Sequence, residues 1–259
     1  MRYTFLLIIM LLVKNFVLAQ ADNEIQVYAS PTIQHKWTIF ELHNNYTFKG
    51  SKLLADPKDA KWYNTTLEIT HGFGKNFEIG FYTFAGVEPN GGYTYLGNQI
   101  RPRISFPELS ASLSVEFGFF RPNDTSKFFW QGEIRPIIDK VFGNGDFYIG
   151  FNPNIDFVIS GNDKGVGFSP QFKALYVVKN KVGVGIEYYG GLGEFRNILP
   201  LKKQEHLLGP MIDLYIHPKW EIQGGFLFGL TENSNQRIFK LLLGKRIGKV
   251  KNIDEGTVF

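Results

Sequence analysis

The chain has 259 residues, and its 25 Phe, 12 Tyr, 4 Trp and 28 Gly favour strands joined by tight turns. It contains no cysteine, which excludes a disulfide scaffold, a thiolate metal site and cysteine catalysis. The net charge is only +4, too small for a nucleic-acid-binding surface, so we expect no nucleic-acid partner.

The first predicted element is an export signal. Arg2 precedes an apolar run over residues 5–13, and small residues follow up to Ala19 and Ala21. The alternative is a membrane-anchoring helix, but a run this short cannot cross a hydrocarbon core of about 30 Å. We therefore predict a signal peptide over residues 1–19, with cleavage after Ala19 or as late as Ala21.

From residue 36 onward, apolar and polar residues alternate with a period of two. In the run 146–160, for example, Phe151 and Phe157 share one face while Asn152 and Asp156 share the other. Only an extended strand uses this period. Turn residues divide the chain into twelve predicted strands, at residues 36–49, 62–71, 76–85, 93–106, 109–121, 127–138, 146–160, 165–178, 181–190, 205–217, 219–230 and 236–247.

The length and connection pattern of these strands favour a membrane barrel. Strands in soluble sheets typically have about 5 to 6 residues, whereas a tilted strand needs about 9 to 11 to cross a bilayer. Short turns and long loops also alternate along the chain, which places them at opposite ends of the barrel, as in outer-membrane proteins. The competing interpretation is a soluble barrel or sandwich, in which the apolar face points inward.

The fold class that we predict is all-β, a transmembrane antiparallel up-and-down barrel of about twelve strands. It occupies residues 36–247, after a periplasmic lead-in at 20–35 and before a tail at 248–259. The expected location is the bacterial outer membrane, after signal-peptide cleavage. The expected partners are outer-membrane lipid, the barrel-assembly machinery and a small-molecule solute.

If the apolar face contacts lipid, the polar face lines the lumen. The charged residues and the histidine on that face are Glu41, His43, Glu68, Glu78, Arg101, Arg103, Glu116, Glu133, Arg135, Asp156, Lys173, Glu187, Asp213, Glu221, Lys240 and Arg246. One interpretation is a network of ion pairs that stabilises the wall, because buried charges persist only when paired. The other is a narrow path whose charges select a solute. The sequence leaves both open.

An enzyme is a less favoured alternative. His43 shares a face with Glu41 and Asn45, as a base oriented by a carboxylate would in an outer-membrane lipid-modifying enzyme, but no serine is placed beside it by sequence. The spacing of three further histidines matches no metal motif: His71, His206 and His217. We therefore expect no catalytic residues, no metal and no cofactor.

Prolines inside predicted strands mark irregular points of the wall. They are Pro102, Pro136, Pro153, Pro170 and Pro210. Because proline removes a hydrogen-bond donor from the ladder, we expect β-bulges at these positions. The alternative is a kinked wall with a lateral opening to the membrane.

Four short patches carry a family resemblance. Residues 40–46, 66–72 and 77–80 resemble the opening hairpins of the bacterial outer-membrane proteins grouped with the MetA-pathway phenol-degradation barrels, and residues 241–246 resemble their last strand. The resemblance implies a channel for passive transport of small aromatic or hydrophobic solutes, without a catalytic motif. A plugged structural or adhesion barrel that conducts nothing remains the alternative. This chain departs from the pattern because it continues beyond the last predicted strand to Phe259.

Overall fold

A computed structural model describes residues 24–53, 62–87, 91–121, 127–160 and 165–248. The predicted signal peptide lies outside these residues, as does nearly all of the predicted C-terminal tail. Among the described residues, no helix is long and apolar enough to span a membrane.

The structure consists almost entirely of strands. Their bounds are β1 Thr38–Lys49, β2 Tyr63–Gly72, β3 Phe77–Val87, β4 Tyr93–Phe106, β5 Ala111–Phe120, β6 Phe129–Phe142, β7 Phe147–Val158, β8 Val166–Val178, β9 Val182–Gly191, β10 Gly193–Glu194, β11 Asn197–Ile198, β12 Glu205–Leu214, β13 Trp220–Gly229 and β14 Arg237–Ile247. The two-residue strands β10 and β11 form a small hairpin in the connection between β9 and β12.

The twelve long strands close into an antiparallel barrel. Each pairs with its neighbour along the chain, β9 pairs with β12 across the small hairpin, and β14 pairs with β1. The prediction of a twelve-stranded antiparallel barrel is therefore confirmed. Closure leaves none of the twelve with an unpaired edge, so the wall satisfies its backbone hydrogen bonds internally, as a membrane-spanning structure must.

The bulges do not lie at the prolines. Pairing is interrupted beside Pro102, Pro136 and Pro210, but the register is the same on both sides of each interruption. The register shifts instead between Phe84 and Ala85, opposite Gly97, and near the end of β1. Gly97 has a φ of 145° and a Cβ there would lie 2.0 Å from a backbone oxygen, so this bulge requires glycine.

The two faces of the wall differ in polarity. On β5, Val115 and Phe117 are 43% and 45% exposed, whereas the intervening Glu116 is only 1% exposed. The same alternation of exposed apolar and buried polar residues runs through the neighbouring strands. A soluble barrel has the opposite arrangement, with apolar residues inside. An apolar outer surface on a closed barrel is the arrangement that lipid solvates.

A stretch of chain before the first strand enters the barrel. Residues 24–28 and Ser30 are buried, and their hydrogen-bond partners are inward-facing side chains of the wall. We call residues 24–33 the N-terminal segment. Over these residues the predicted periplasmic lead-in at 20–35 lies inside the barrel, where polar wall residues satisfy its backbone groups.

Candidate functional site

The candidate site is the lumen, where the period of the strands brings the predicted charges together. Residues two apart on one strand share a face, so Arg101 and Arg103 on β4 both point inward, as do Glu133 and Arg135 on β6. Fourteen of the sixteen predicted lumen residues are buried, and the other two, Glu221 and Arg246, are partly buried. The structure therefore places all sixteen on the inward face.

Two arginines of β4 bind carboxylates of the neighbouring strands. Arg101 lies 2.6 Å from Glu68 Oε1 and 3.0 Å from Glu78 Oε1. Arg103 stands directly opposite Glu78 in the β3–β4 register, and its Nε lies 2.7 Å from the same Oε1 atom. One carboxylate therefore holds two guanidinium groups in fixed positions.

A second arginine site lies beside a row of three acids. Glu116, Glu133 and Asp156 stand side by side across β5, β6 and β7 because the registers pair them directly. Arg135 lies 2.5 Å from Glu133 and 3.4 Å from Glu116. It also lies 3.4 Å from Glu24 of the N-terminal segment. We call Arg101, Arg103, Arg135 and their carboxylate partners the arginine cluster.

The opposite side of the lumen uses lysines. Lys173 lies 2.6 Å from Asp213 and 3.1 Å from Glu187, which is its direct neighbour in the β8–β9 register. Lys240 lies 2.6 Å from the other oxygen of Glu187 and 3.2 Å from the hydroxyl of Tyr189. These residues form the lysine cluster, and their contacts link β8, β9, β12 and β14. Near the short turns, Arg246 pairs with Glu221.

Tyr28 of the N-terminal segment occupies the centre of the arginine cluster. Its ring centroid lies 4.6 Å from the guanidinium carbons of both Arg101 and Arg135, an arrangement that favours cation–π attraction. Its hydroxyl lies 3.2 Å from Glu68. Its backbone N–H donates to Asn152 Oδ1 at 2.8 Å, and Asn152 Nδ2 donates to its carbonyl at 3.1 Å. Tyr28 thus contacts side chains of several strands of the wall, among them β2, β4, β6 and β7.

Wall side chains also bind the next residues of the segment. Both the backbone N–H and the hydroxyl of Ser30 donate to the carboxylate of Asp139, at 2.6 and 2.7 Å. Arg103 donates to the carbonyls of Ala29 and Pro31 at 2.8 and 3.0 Å. These polar contacts satisfy main-chain groups that would otherwise be buried without partners.

The lumen is apolar toward the end that carries the longer connections. One buried cluster contains the first apolar residues of the segment and wall residues from four strands: Ile25, Val27, Tyr189, Leu207, Met211, Leu227 and Ile238. A second contains Tyr82, Phe84, Leu96 and Phe120. The inside of the barrel therefore changes from charged to apolar along its length.

Two cavities remain beside the segment in the described part of the chain. One, of about 160 Å³, is lined by the segment and by wall residues that include Glu41 and Arg101. The other, of about 470 Å³, lies at the short-turn end, where Lys75, Asp139 and Asn180 contribute to its lining. The N-terminal segment therefore occupies part of the lumen between these wall residues.

His43 lies on the lumen side of β1 and is 2% exposed. Its Nδ1 has no hydrogen-bond partner among the described residues. Nε2 lies 3.3 Å from Glu68 Oε2. Glu41 stands directly opposite Glu68 in the β1–β2 register.

Sequence reasoning found the wall charges and missed the N-terminal segment. Glu24 to Tyr28 alternate polar and apolar residues, which is a strand-like signal but too short to stand out. It also missed Tyr82 and Asp139, which bind the segment, because they contact it only after the barrel closes.

Comparison with known proteins gives a likeness of fold. No protein-family model and no curated protein matches the sequence, so the proposed grouping with the MetA-pathway barrels stays a prediction. The COG4313 outer membrane channel from Pseudomonas putida F1 superposes with a TM-score of 0.60 at 10% identity, covering 86% of this chain and 100% of that chain.

Two further solved structures are similar at lower scores. The translocator domain of the autotransporter NalP from Neisseria meningitidis has a TM-score of 0.51 at 10% identity, covering 96% of this chain and 98% of its own. The NanC porin has a TM-score of 0.51 at 9% identity, covering 82% and 100%. At these identities the likeness extends to the fold, which is that of outer-membrane β-barrels.

Proposed function

We propose that this protein is a bacterial outer-membrane channel that is closed in the present conformation by its N-terminal segment. Small solutes cross when the segment leaves the lumen. The chain reaches the membrane through a cleaved signal peptide and the barrel-assembly machinery. The apolar outer face of the wall and the likeness to outer-membrane barrels support this location.

One observation carries the proposal: the segment that lies inside the lumen is separate from the wall. The N-terminal segment contributes no strand to the sheet among its described residues, and it joins the wall covalently only through β1. Hydrogen bonds, ion pairs and the apolar contacts of Ile25 and Val27 hold it, and water can replace the polar contacts if the segment moves toward an aqueous mouth. The wall itself would remain closed after such a movement.

The solute class that we propose is small and aromatic or hydrophobic, as the family resemblance implies. The apolar end of the lumen supports it, because side chains such as Leu207 and Met211 would contact an apolar solute once the segment withdraws Ile25 and Val27. The charged half would then favour solutes that also carry a polar group, such as a phenolic hydroxyl.

Planar-bilayer recording tests the proposal. The full-length protein and a variant lacking residues 20–33 behind the same signal peptide would be purified and compared, with heat-modifiable migration on gels as the control for folding. We expect rare, small openings from the full-length protein and steady conductance from the variant. A folded variant that conducts no more than the full-length protein would contradict the proposal.

A second function is supported by a different observation. Most lumen charges already have partners within the wall, as Lys173 and Glu187 do, which fits a permanently filled structural or adhesion barrel. The same recordings separate the two functions. A deletion variant that folds and stays silent would favour the structural barrel, and liposome swelling with a sugar too polar to cross lipid unaided would then show no uptake.

A further inference from the structure

Three potential metal ligands meet on the lumen side of β1 and β2. One oxygen from Glu41, one from Glu68 and a ring nitrogen of His43 all lie within 4.8 Å of one another, and all three residues are buried. They come together because Glu41 faces Glu68 across the ladder and His43 is two residues along the same strand. Ligands of a tetrahedral Zn²⁺ lie about 3.3 Å apart, so a small inward movement of the side chains would suffice.

The charge balance around these residues leaves carboxylates in excess. The buried acids of the arginine-cluster side of the lumen are Glu24, Glu41, Glu68, Glu78, Glu116, Glu133 and Asp156, and its buried bases are Arg101, Arg103 and Arg135. Glu41 forms no ion pair with a base in the described part of the chain. Buried negative charge of this kind is costly unless a cation neutralises it.

His43 is the residue that points to a metal rather than to a further ion pair. It is almost fully buried; Nε2 lies 3.3 Å from Glu68 Oε2, and Nδ1 has no hydrogen-bond partner among the described residues. A buried ring nitrogen without a partner is unfavourable. A metal ion bound to a ring nitrogen of His43 would satisfy that atom and would neutralise Glu41 at the same time.

We propose that Glu41, His43 and Glu68 bind a divalent cation of the zinc class inside the barrel. One nitrogen and two carboxylate oxygens suit Zn²⁺ better than Ca²⁺ or Mg²⁺, which prefer oxygen ligands alone. Glu68 supplies Oε2, because its Oε1 already binds Arg101 at 2.6 Å. The cavity of about 160 Å³ that borders Glu41 has room for the water that would complete the coordination.

The bound ion would also connect the wall to the N-terminal segment. Tyr28 places its hydroxyl 3.2 Å from Glu68 Oε2, the oxygen assigned to the metal. Zinc bound at this oxygen would therefore lie close to the Tyr28 hydroxyl. The binding of the ion and the position of the segment are expected to depend on each other.

Metal analysis of untagged protein tests the proposal. The chain would be refolded from urea into detergent with Zn²⁺ present, so that access to the buried site is not limiting, and then passed through a desalting column. Elemental analysis is expected to find one zinc ion per folded chain. Refolding with Co²⁺ is expected to give the intense visible absorption of a four-coordinate site with nitrogen and oxygen ligands.

Matched variants show whether the ion occupies this site. His43→Ala and Glu41→Gln are expected to lose the zinc and the Co²⁺ absorption, while His206→Ala, whose ring is hydrogen-bonded to Tyr188 and Gln204, keeps both. Heat-modifiable migration verifies that each variant is folded. Metal-free wild-type protein, or zinc retained by both cluster variants, would overturn the proposal.

Discussion

The arginine and lysine clusters satisfy their charges in different ways. Each lysine binds acids of the wall alone, so that Lys173 and Lys240 share Glu187 without help from elsewhere in the chain. The arginine cluster is completed by the N-terminal segment, because Arg135 reaches Glu24 and Arg101 faces the ring of Tyr28. One side of the barrel therefore has its contacts whether or not the segment is present, while the other is built around it.

This difference indicates that the two clusters have different roles in the lumen. The lysine cluster joins four strands, including β14 next to the closing seam with β1, and so it stabilises the wall. The arginine cluster holds a separable piece of chain. Departure of that piece would leave the arginines exposed to water and accessible to a solute, whereas the lysine side would change little.

The largest expected effect is the loss of Arg135. Arg135→Met removes the cation beside the row formed by Glu116 and Glu133, and breaking a buried ion pair in this way typically costs about 3–5 kcal/mol. Lys240→Met is the matched change on the other side. It should cost less, about 1–3 kcal/mol, because Glu187 keeps its contact with Lys173.

Urea unfolding from lipid vesicles, followed by tryptophan fluorescence, measures both free energies. A Lys240→Met variant as unstable as Arg135→Met would show that the two clusters contribute equally, and the comparison would fail.

The strands of the wall could be predicted from the sequence, but the contrast between the two clusters could not. The β7 strand, Phe147–Val158, falls inside the predicted run 146–160 because alternation depends only on neighbouring residues. Which acid meets which base depends on register, as in the pairing of Glu133 with Asp156, and register forms between strands. The position of Tyr28 required the closed barrel around it.

The second-largest expected effect comes from placing a charge on the outer face of the wall. Val115 lies in the middle of β5 and Ile186 in the middle of β9, on the outer face of the arginine and lysine sides respectively. The two substitutions to compare are Val115→Arg and Ile186→Arg. Each should cost about 2–4 kcal/mol, because each would place a charge in the bilayer interior. Because lipid contacts the outer face of both sides alike, the two substitutions should lower the free energy of unfolding by similar amounts.

Vesicle refolding over a urea series gives these values. If only one of the two substitutions were costly, the sides would differ on the outer face as well, and the contrast between the clusters would not be confined to the lumen.

The smallest expected effect concerns the hydrogen bonds by which the wall binds the N-terminal segment. Ser30→Ala removes the hydroxyl that donates to Asp139 Oδ1 at 2.7 Å but keeps the backbone N–H that donates to Oδ2. A hydrogen bond of this kind contributes about 0.5–1.5 kcal/mol, which corresponds to roughly a 2- to 10-fold change in an equilibrium. If the segment closes the channel, the ratio of open to closed time should rise by that factor.

Single-channel recording of Ser30→Ala beside Ser112→Ala measures this change. Ser112 is an inward-facing serine of β5 whose hydroxyl has no hydrogen-bond partner among the described residues, so its removal controls for the loss of a lumen hydroxyl as such. The Ser112 variant should open as often as the unaltered protein. Equal open times for all three proteins would mean that the contact between Ser30 and Asp139 does not limit opening, and that the other contacts of the segment, among them those of Tyr28 with Arg101 and Arg135, decide when it leaves.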